Sequence, residues 1–118
     1  MAQVIATYCA AWNELDPQRR EQSLRRFWPD ASTYTDPTVQ ATGPRELLDH
    51  IARVLQQFPG SNVVMTSALD AHHGLVRFAW KRVLGDGTSR PEGIDFVELS
   101  PDGRLQRVIG FFGPLARL

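Results

Sequence analysis

The sequence predicts an α+β fold in which three helices precede a long antiparallel β-sheet. Two features of the chain predict this class. Apolar residues recur about every 3.6 positions in the first half, whereas apolar and polar residues alternate in the second half between glycine-containing turns. The length of 118 residues, 42% of them hydrophobic, suits one domain with a single core, so residues 1–118 are expected to fold together.

Three segments carry the helical pattern. In the first, one apolar stripe consists of Val4, Ile5, Tyr8, Ala11, Trp12 and Leu15. Asp16-Pro17 predicts the start of the second helix, because aspartate is a common N-cap and proline fits the first turn. A short strand at 32–36 precedes the third helix, which is bounded by Gly43-Pro44 and Pro59-Gly60.

Four strand-like segments follow, at 63–71, 75–84, 94–100 and 105–112. Because short turns join them, we expect them to pair as an antiparallel meander. Alternation within the second of these strands directs its large apolar side chains to the core and Arg77 to solvent.

One strand breaks the alternation of apolar and polar residues. Asp95 falls on the same face as Val97. Glu98 falls on the opposite face, together with Phe96. One of these two acids must therefore lie on an apolar face, which is a conflict typical of functional sites, and alternation alone does not decide which acid it is.

Composition argues against several classes of protein. The chain has 13 basic and 13 acidic residues, so the charge attraction required for binding nucleic acid is missing. A single cysteine, Cys9, and the lack of a signal-peptide pattern or a long apolar stretch predict a soluble cytoplasmic domain that does not enter a membrane. Neighbouring strand residues His72 and His73 are expected to point to opposite faces, and His50 has no ligand-spaced partner, so no metal site is expected.

Several short motifs follow one another in a distinctive order: 8–13 in the first helix, 34–37 at the short strand, then 93–96, 102–104 and 110–113. With Gly43 before the third helix, this order resembles the NTF2-like superfamily, which includes SnoaL-like cyclases and ketosteroid isomerases. The resemblance covers nearly the whole chain. It implies a cone-shaped half-barrel, with three helices packed on a curved antiparallel sheet, and a homodimer formed through the outer sheet face.

Within this superfamily, ketosteroid isomerase is the chemically most similar member. By position, the resemblance implies that Asp36 is a general base at the pocket rim, that Tyr8 is the oxyanion-hole tyrosine and that Asp95 is the protonated acid beside it. The tyrosines that support the oxyanion-hole tyrosine in some members fall on Trp28 and Ile51. The substrate-binding wall is expected to contain Trp12, Trp28, Phe58, Met65, Phe78, Trp80, Val97, Val108 and Phe112.

These assignments predict cofactor-free acid–base catalysis on a small apolar molecule that carries a carbonyl or phenolic oxygen, by an isomerase or a SnoaL-like cyclase. The alternative is a non-catalytic NTF2-like domain that binds a hydrophobic ligand or serves as a dimerisation module. In that alternative Asp36 only begins a turn and Tyr8 is a core tyrosine. Asp95 would then pair with Arg107.

Overall fold

Two short helices open the chain, and their ends follow from the local sequence. The computed structural model describes all 118 residues. Helix α1 spans Ala2–Ala11 and helix α2 spans Pro17–Arg25. Asp16 caps α2 as predicted, because its Oδ1 accepts hydrogen bonds from two backbone N–H groups of the first turn at 2.9 and 3.3 Å. Leu15 lies beyond α1 and is 73% exposed, so the predicted apolar stripe ends earlier than expected.

A β-hairpin and the longest helix come next. Strands β1 (Thr33–Asp36) and β2 (Val39–Thr42) pair antiparallel, and the sequence does not predict β2. Helix α3 spans Gly43–Gln57. Gly43 has φ 79°, and a Cβ there would lie 3.0 Å from the carbonyl oxygen of Asp30, so the junction between strand and helix requires glycine. The apolar face of α3 is buried through Leu47, Leu48 and Ile51.

Five strands form the rest of the chain: β3 (Asn62–Met65), β4 (Asp70–His72), β5 (Leu75–Val83), β6 (Gly93–Leu99) and β7 (Leu105–Phe112). All seven strands form one curved, open sheet in the order β2-β1-β7-β6-β5-β3, and β4 also pairs with β5. The antiparallel meander from β5 to β7 is as predicted. The α+β class, with three helices and a curved sheet, is confirmed.

Two details of the sheet differ from the prediction. The expected strand at 63–71 is two strands, because the chain leaves the sheet after Met65 and rejoins β5 at Asp70. Strand β1 pairs parallel with β7, with Thr33 opposite Arg107, so the sheet is mixed rather than purely antiparallel.

The core lies between the helices and the inner face of the sheet. Val76 and Phe78 of β5 are buried on this face, whereas Arg77 is exposed, as alternation predicts. Both join one contiguous cluster of buried apolar residues contributed by α1, α2, α3 and the sheet. No helix is long and apolar enough to cross a membrane.

Candidate active site

One cavity of about 550 Å³ is lined by helices α1 and α3 and by the inner face of the sheet. Its wall contains Tyr8, Asp36 and Asp95, the three residues to which the resemblance assigns catalytic roles. Much of the remaining wall is apolar, which is the usual composition of a small-molecule site. The expected substrate-binding residues that line it are Trp12, Phe58, Phe78, Trp80 and Phe112.

Four expected substrate-binding residues lie elsewhere. Trp28 is in the core behind Tyr8, where the two rings stack with their centroids 6.1 Å apart. Val97 and Val108 face each other across β6 and β7 and are buried in the core. Met65 lies on β3 at the edge of the sheet and is exposed to solvent. Alternation identifies the inner face, but it does not tell whether an inward side chain meets a helix or the cavity.

Asp36, at the end of β1, is surrounded by hydrogen-bond donors. Its Oδ1 accepts hydrogen bonds from the backbone N–H of Thr38 at 2.7 Å and from the Thr38 hydroxyl at 2.6 Å. Its Oδ2 accepts one from the Tyr34 hydroxyl at 2.6 Å and lies 3.5 Å from Nε2 of His50. Burial favours the neutral acid, but the interactions with His50, Thr38 and Tyr34 outweigh burial and hold the pKa of Asp36 below its ordinary value.

Asp36 therefore lies in the cavity wall as a fixed anion. Asp36 is only 9% exposed, so it lies deeper in the cavity than the rim position that the sequence predicts. The bond from the Thr38 N–H is an Asx turn, which means that Asp36 is a turn-former as well as part of the site. A carboxylate offers about four lone-pair positions, and the contacts of Asp36 engage them.

Asp95 is the acid that faces inward on β6, and it is 6% exposed. Glu98, on the other face, is only half-buried. Asp95 Oδ1 accepts a hydrogen bond from Nε1 of Trp80 at 2.9 Å, while its Oδ2 makes no hydrogen bond within the protein. Arg107 is exposed on the outer face opposite Glu98, so the alternative ion pair with Asp95 does not form.

A glycine allows Trp80 to reach Asp95. Gly93 is the cross-strand partner of Trp80, and a Cβ on Gly93 would lie 2.6 Å from the indole ring. The indole therefore lies across Gly93, and its N–H reaches the carboxyl group two residues further along β6. This contact depends on the missing side chain.

The two carboxyl groups have opposite ionisation preferences. Burial raises the pKa of Asp95 from 3.8 to about 7, the hydrogen bond from Trp80 opposes this rise, and the charge of Asp36 adds to it. Gly110 of β7 separates the two acids, because a Cβ there would lie 3.0 Å from Asp95 Oδ1 and 3.5 Å from Asp36 Cβ. The site thus holds a carboxyl group that is protonated up to neutral pH beside one that is ionised.

The Tyr8 hydroxyl on α1 is buried and unpaired. The residue is 1% exposed, and its hydroxyl makes no hydrogen bond within the protein. Burial, with the charge of Asp95, raises the pKa of Tyr8 well above its ordinary value and outweighs the opposing effect of the nearby Trp12, so the phenol is a neutral donor. A buried hydroxyl without a partner costs about 1–3 kcal/mol, which a ligand oxygen in the cavity would offset.

The sequence prediction missed two further residues of the site, His50 and Tyr34. Both are buried, and their ring centroids lie 5.7 Å apart beside Asp36. The signals were present: His50 falls on the apolar stripe of α3, next to Ile51, and Tyr34 shares a strand face with Asp36. A search for metal-ligand spacing overlooks a histidine whose partner comes from a distant strand.

Three arginines also line the cavity and were missed: Arg53 on α3, Arg82 on β5 and Arg90 in the connection to β6. For Arg82 the signal is the alternation itself, since the inward series Val76, Phe78, Trp80 continues to residue 82.

The two neighbouring histidines behave differently from the prediction. His73 has φ 51° and lies in the turn after β4, so the expectation that His72 and His73 point to opposite faces is wrong. Their Nδ1 atoms lie 3.0 Å apart on the exposed surface. No group of three or more His, Cys, Asp or Glu side chains is arranged to hold a metal ion.

Comparison with solved structures identifies the family. A protein from Agrobacterium tumefaciens, described provisionally as an isomerase of the SnoaL-like family, is 34% identical, with a TM-score of 0.90 over 96% of this chain and 97% of that chain. This chain belongs to the SnoaL-like family. The predicted membership of the NTF2-like superfamily is confirmed.

More distant structures share the fold of this SnoaL-like chain. A protein with a ketosteroid isomerase-like fold from Catenulispora acidiphila, crystallised with trimethylamine, is 14% identical, with a TM-score of 0.74 over 93% of this chain and 85% of that chain. An NTF2-like protein from Mesorhizobium loti is also 14% identical, with a TM-score of 0.72 over 96% and 90%. No family sequence model and no curated protein matches the chain.

Proposed function

We propose that this SnoaL-like protein is a cofactor-free enzyme that moves a proton next to a carbonyl group of a small molecule, as an isomerase or a cyclase. The observation that carries the proposal is the buried, unpaired hydroxyl of Tyr8 in the same cavity as Asp95, whose Oδ2 is also unpaired. Two unpaired polar groups in a largely apolar cavity are what an oxyanion site requires before its ligand arrives.

Tyr8 and Asp95 would hold the reacting oxygen. Because the Trp80 N–H already bonds Asp95 Oδ1, the proton of the neutral acid is directed to Oδ2. A carbonyl oxygen in contact with both residues gains two donors that strengthen as it becomes an enolate, and each such donor lowers the barrier by roughly 3–4 kcal/mol.

The base would be the pair formed by His50 and Asp36. The resemblance assigns the base to Asp36, but the lone pairs of this carboxylate are engaged, which favours its action through His50. An ionised Oδ2 only accepts hydrogen bonds, so the facing Nε2 of His50 carries a hydrogen, and Nδ1 is the ring nitrogen that would take the proton from the substrate. The 3.5 Å separation is long for a hydrogen bond, and catalytic pairs often tighten when a ligand binds.

Binding of substituted naphthols, which mimic an enolate, tests the oxyanion site by fluorescence titration. We expect Tyr8→Phe and Asp95→Ala each to weaken binding about tenfold or more, because each removes a donor. Tyr34→Phe is the matched control: its hydroxyl already bonds Asp36 and should contribute little to naphthol affinity. Equal affinity of wild type and Tyr8→Phe would count against the proposal.

Turnover of a β,γ-unsaturated ketone tests the base. We expect His50→Gln and Asp36→Asn to lower kcat by about a hundredfold, the usual contribution of a positioned general base, while naphthol affinity is retained. Unchanged turnover in both variants would remove the pair from the mechanism.

We also propose a homodimer formed through the outer face of the sheet. Three large apolar residues are exposed on this face: Ile94 (41%), Phe96 (41%) and Phe111 (58%). The rings of Phe96 and Phe111 pack edge to face, with their centroids 6.0 Å apart. A contiguous exposed apolar patch of this kind is typical of a protein–protein interface. The dimer is compatible with catalysis and would also serve a non-catalytic module.

A further inference from the structure

We propose that the cavity contains a second subsite, which binds an anionic group such as a carboxylate, and that the substrate therefore carries a negative charge at the end remote from its reacting oxygen. The subsite consists of Arg53, Arg82 and Arg90. The position of the reacting oxygen rests on the proposed function, whereas the arginine subsite does not. The proposal adds a carboxylate to the small carbonyl or phenolic compound that the sequence predicts as the substrate.

Arg82 is the buried member of the subsite. The residue is 7% exposed, and its one side-chain hydrogen bond runs from Nη1 to the Ser61 hydroxyl at 3.0 Å. A guanidinium has five N–H donors, so most of those on Arg82 have no partner in the protein. Burial lowers the pKa of Arg82; Tyr34 opposes this shift, and the positive charge of Arg90 adds to it. A buried cation in this state lacks the counter-ion that would compensate its lost hydration.

Arg90 brings a second positive charge to the same place. The guanidinium carbons of Arg82 and Arg90 lie 5.5 and 5.1 Å from the centroid of the Phe58 ring. Arg53 lies on α3, three residues from His50, and lines the same cavity. None of the three arginines takes part in any of the ion pairs of the chain. Like charges gathered without an acid repel each other, and an anion entering the cavity would relieve that repulsion.

The buried arginine of the subsite, Arg82, lies further along the sheet than the two acids of the cavity wall. Asp36 and Asp95 are the two acidic residues in that wall, and Asp95 is opposite Phe78 in the register of β5 and β6. Arg82 is four residues beyond Phe78 on β5, which is about 13 Å along a strand. Trp80 lies between Phe78 and Arg82 on β5 and also lines the cavity. A ligand that fits this order has an oxygen at one end, an aromatic or flat middle part and an anion at the other end.

The experiment uses two probes that differ in charge and by one methyl group, 6-hydroxy-2-naphthoic acid and its methyl ester, titrated by fluorescence at pH 6. The acid should bind about tenfold more tightly than the ester, the effect of one or two charge-assisted hydrogen bonds. That preference should shrink as salt is added. Arg53→Gln and Arg90→Gln, both at exposed positions that tolerate substitution, should each reduce the preference several-fold, and Arg82→Gln should abolish it. Arg77→Gln, on the outer face, is the matched control and should leave it unchanged.

Each outcome decides the proposal. Equal affinity for acid and ester, or a preference that survives all three arginine substitutions, would overturn the subsite and leave these arginines the structural role of packing on Phe58. Tyr8→Phe separates this result from the proposed function, because it should weaken both probes equally. If Tyr8→Phe has no effect while the arginine substitutions remove the preference, the subsite stands and the oxyanion site fails.

Discussion

Replacing Asp95 by asparagine should stabilise the protein, and the gain should grow as the pH rises from about 4 to about 7. Burial raises the pKa of Asp95 from 3.8 to about 7. Between these values the folded protein keeps a proton that the unfolded chain has released, so each rise in pH favours unfolding. Asparagine has nearly the same shape, stays neutral and can still accept the hydrogen bond from Trp80 through its Oδ1.

The magnitude follows from the width of that pH window. One pH unit corresponds to 1.36 kcal/mol, so a shift from 3.8 to about 7 amounts to about 4 kcal/mol at pH 7 and above. Below pH 4 the acid is neutral in both states, and the two proteins should be equally stable. The carboxyl group of Asp95 is buried on the inner face of the sheet, so solvent does little to reduce this contribution to the free energy of unfolding.

Urea unfolding of wild type and Asp95→Asn at pH values from 4 to 8 measures the difference. Asp36→Asn provides a contrast of opposite sign: the pKa of Asp36 is held below its ordinary value, so its ionised form contributes stability above about pH 4 that is lost as the pH falls. Asp36→Asn should therefore destabilise the protein at neutral pH. A difference between wild type and Asp95→Asn that does not change with pH, or a loss of stability at pH 7, would show that Asp95 is not a buried acid with a raised pKa.

Three further substitutions probe the cavity and the outer face of the sheet. Trp80→Phe should raise the pKa of Asp95 by about one to two pH units, because it removes a hydrogen bond to the charged form, and a carboxyl NMR titration that finds no rise would contradict this. Gly110→Ala should weaken naphthol binding roughly tenfold in a fluorescence titration, because the new Cβ would lie 3.0 Å from Asp95 Oδ1 and displace the carboxyl group. Unchanged affinity would show that Asp95 does not have to keep this position to bind the naphthol. Phe111→Lys should convert a dimer into a monomer in sedimentation experiments, and a wild type that already sediments as a monomer would exclude the proposed interface.

Local signals in the sequence predicted the helices and the antiparallel meander. Asp16-Pro17 marks the start of α2 because the cap and the proline act within one turn. The pairing of β1 with β7 joins residues more than 70 positions apart, for which the sequence contains no local signal. Strand β2 was missed because its four residues lie between Pro37 and Gly43, a stretch that is typical of a loop.

The candidate site was predicted in part for the same reason. The resemblance to ketosteroid isomerase predicted Tyr8, Asp36 and Asp95 as site residues, and all three line one cavity. The contact of His50 with Asp36 joins α3 to β1, and only the packed structure brings these elements together. Alternation predicts an inward position for Arg82, but it conflicts there with the general tendency of charged residues to face solvent.

The preferences of the two acids explain how similar side chains can have different roles in one cavity. Asp36 is surrounded by donors, which keep it ionised and fixed. Asp95 receives one donor, from Trp80, and the rest of its surroundings favour the protonated form. Different surroundings for identical groups are the usual way in which a site assigns acid and base roles.

A carboxyl ¹³C NMR titration of protein labelled at aspartate measures the ionisation of both acids, with Asp36→Asn and Asp95→Asn used to assign the two signals. We expect Asp95 to titrate at about 7, while Asp36 remains ionised to the acid limit of the folded protein. A signal of Asp95 that titrates near 4, or an Asp36 signal that titrates near neutral pH, would contradict this expectation.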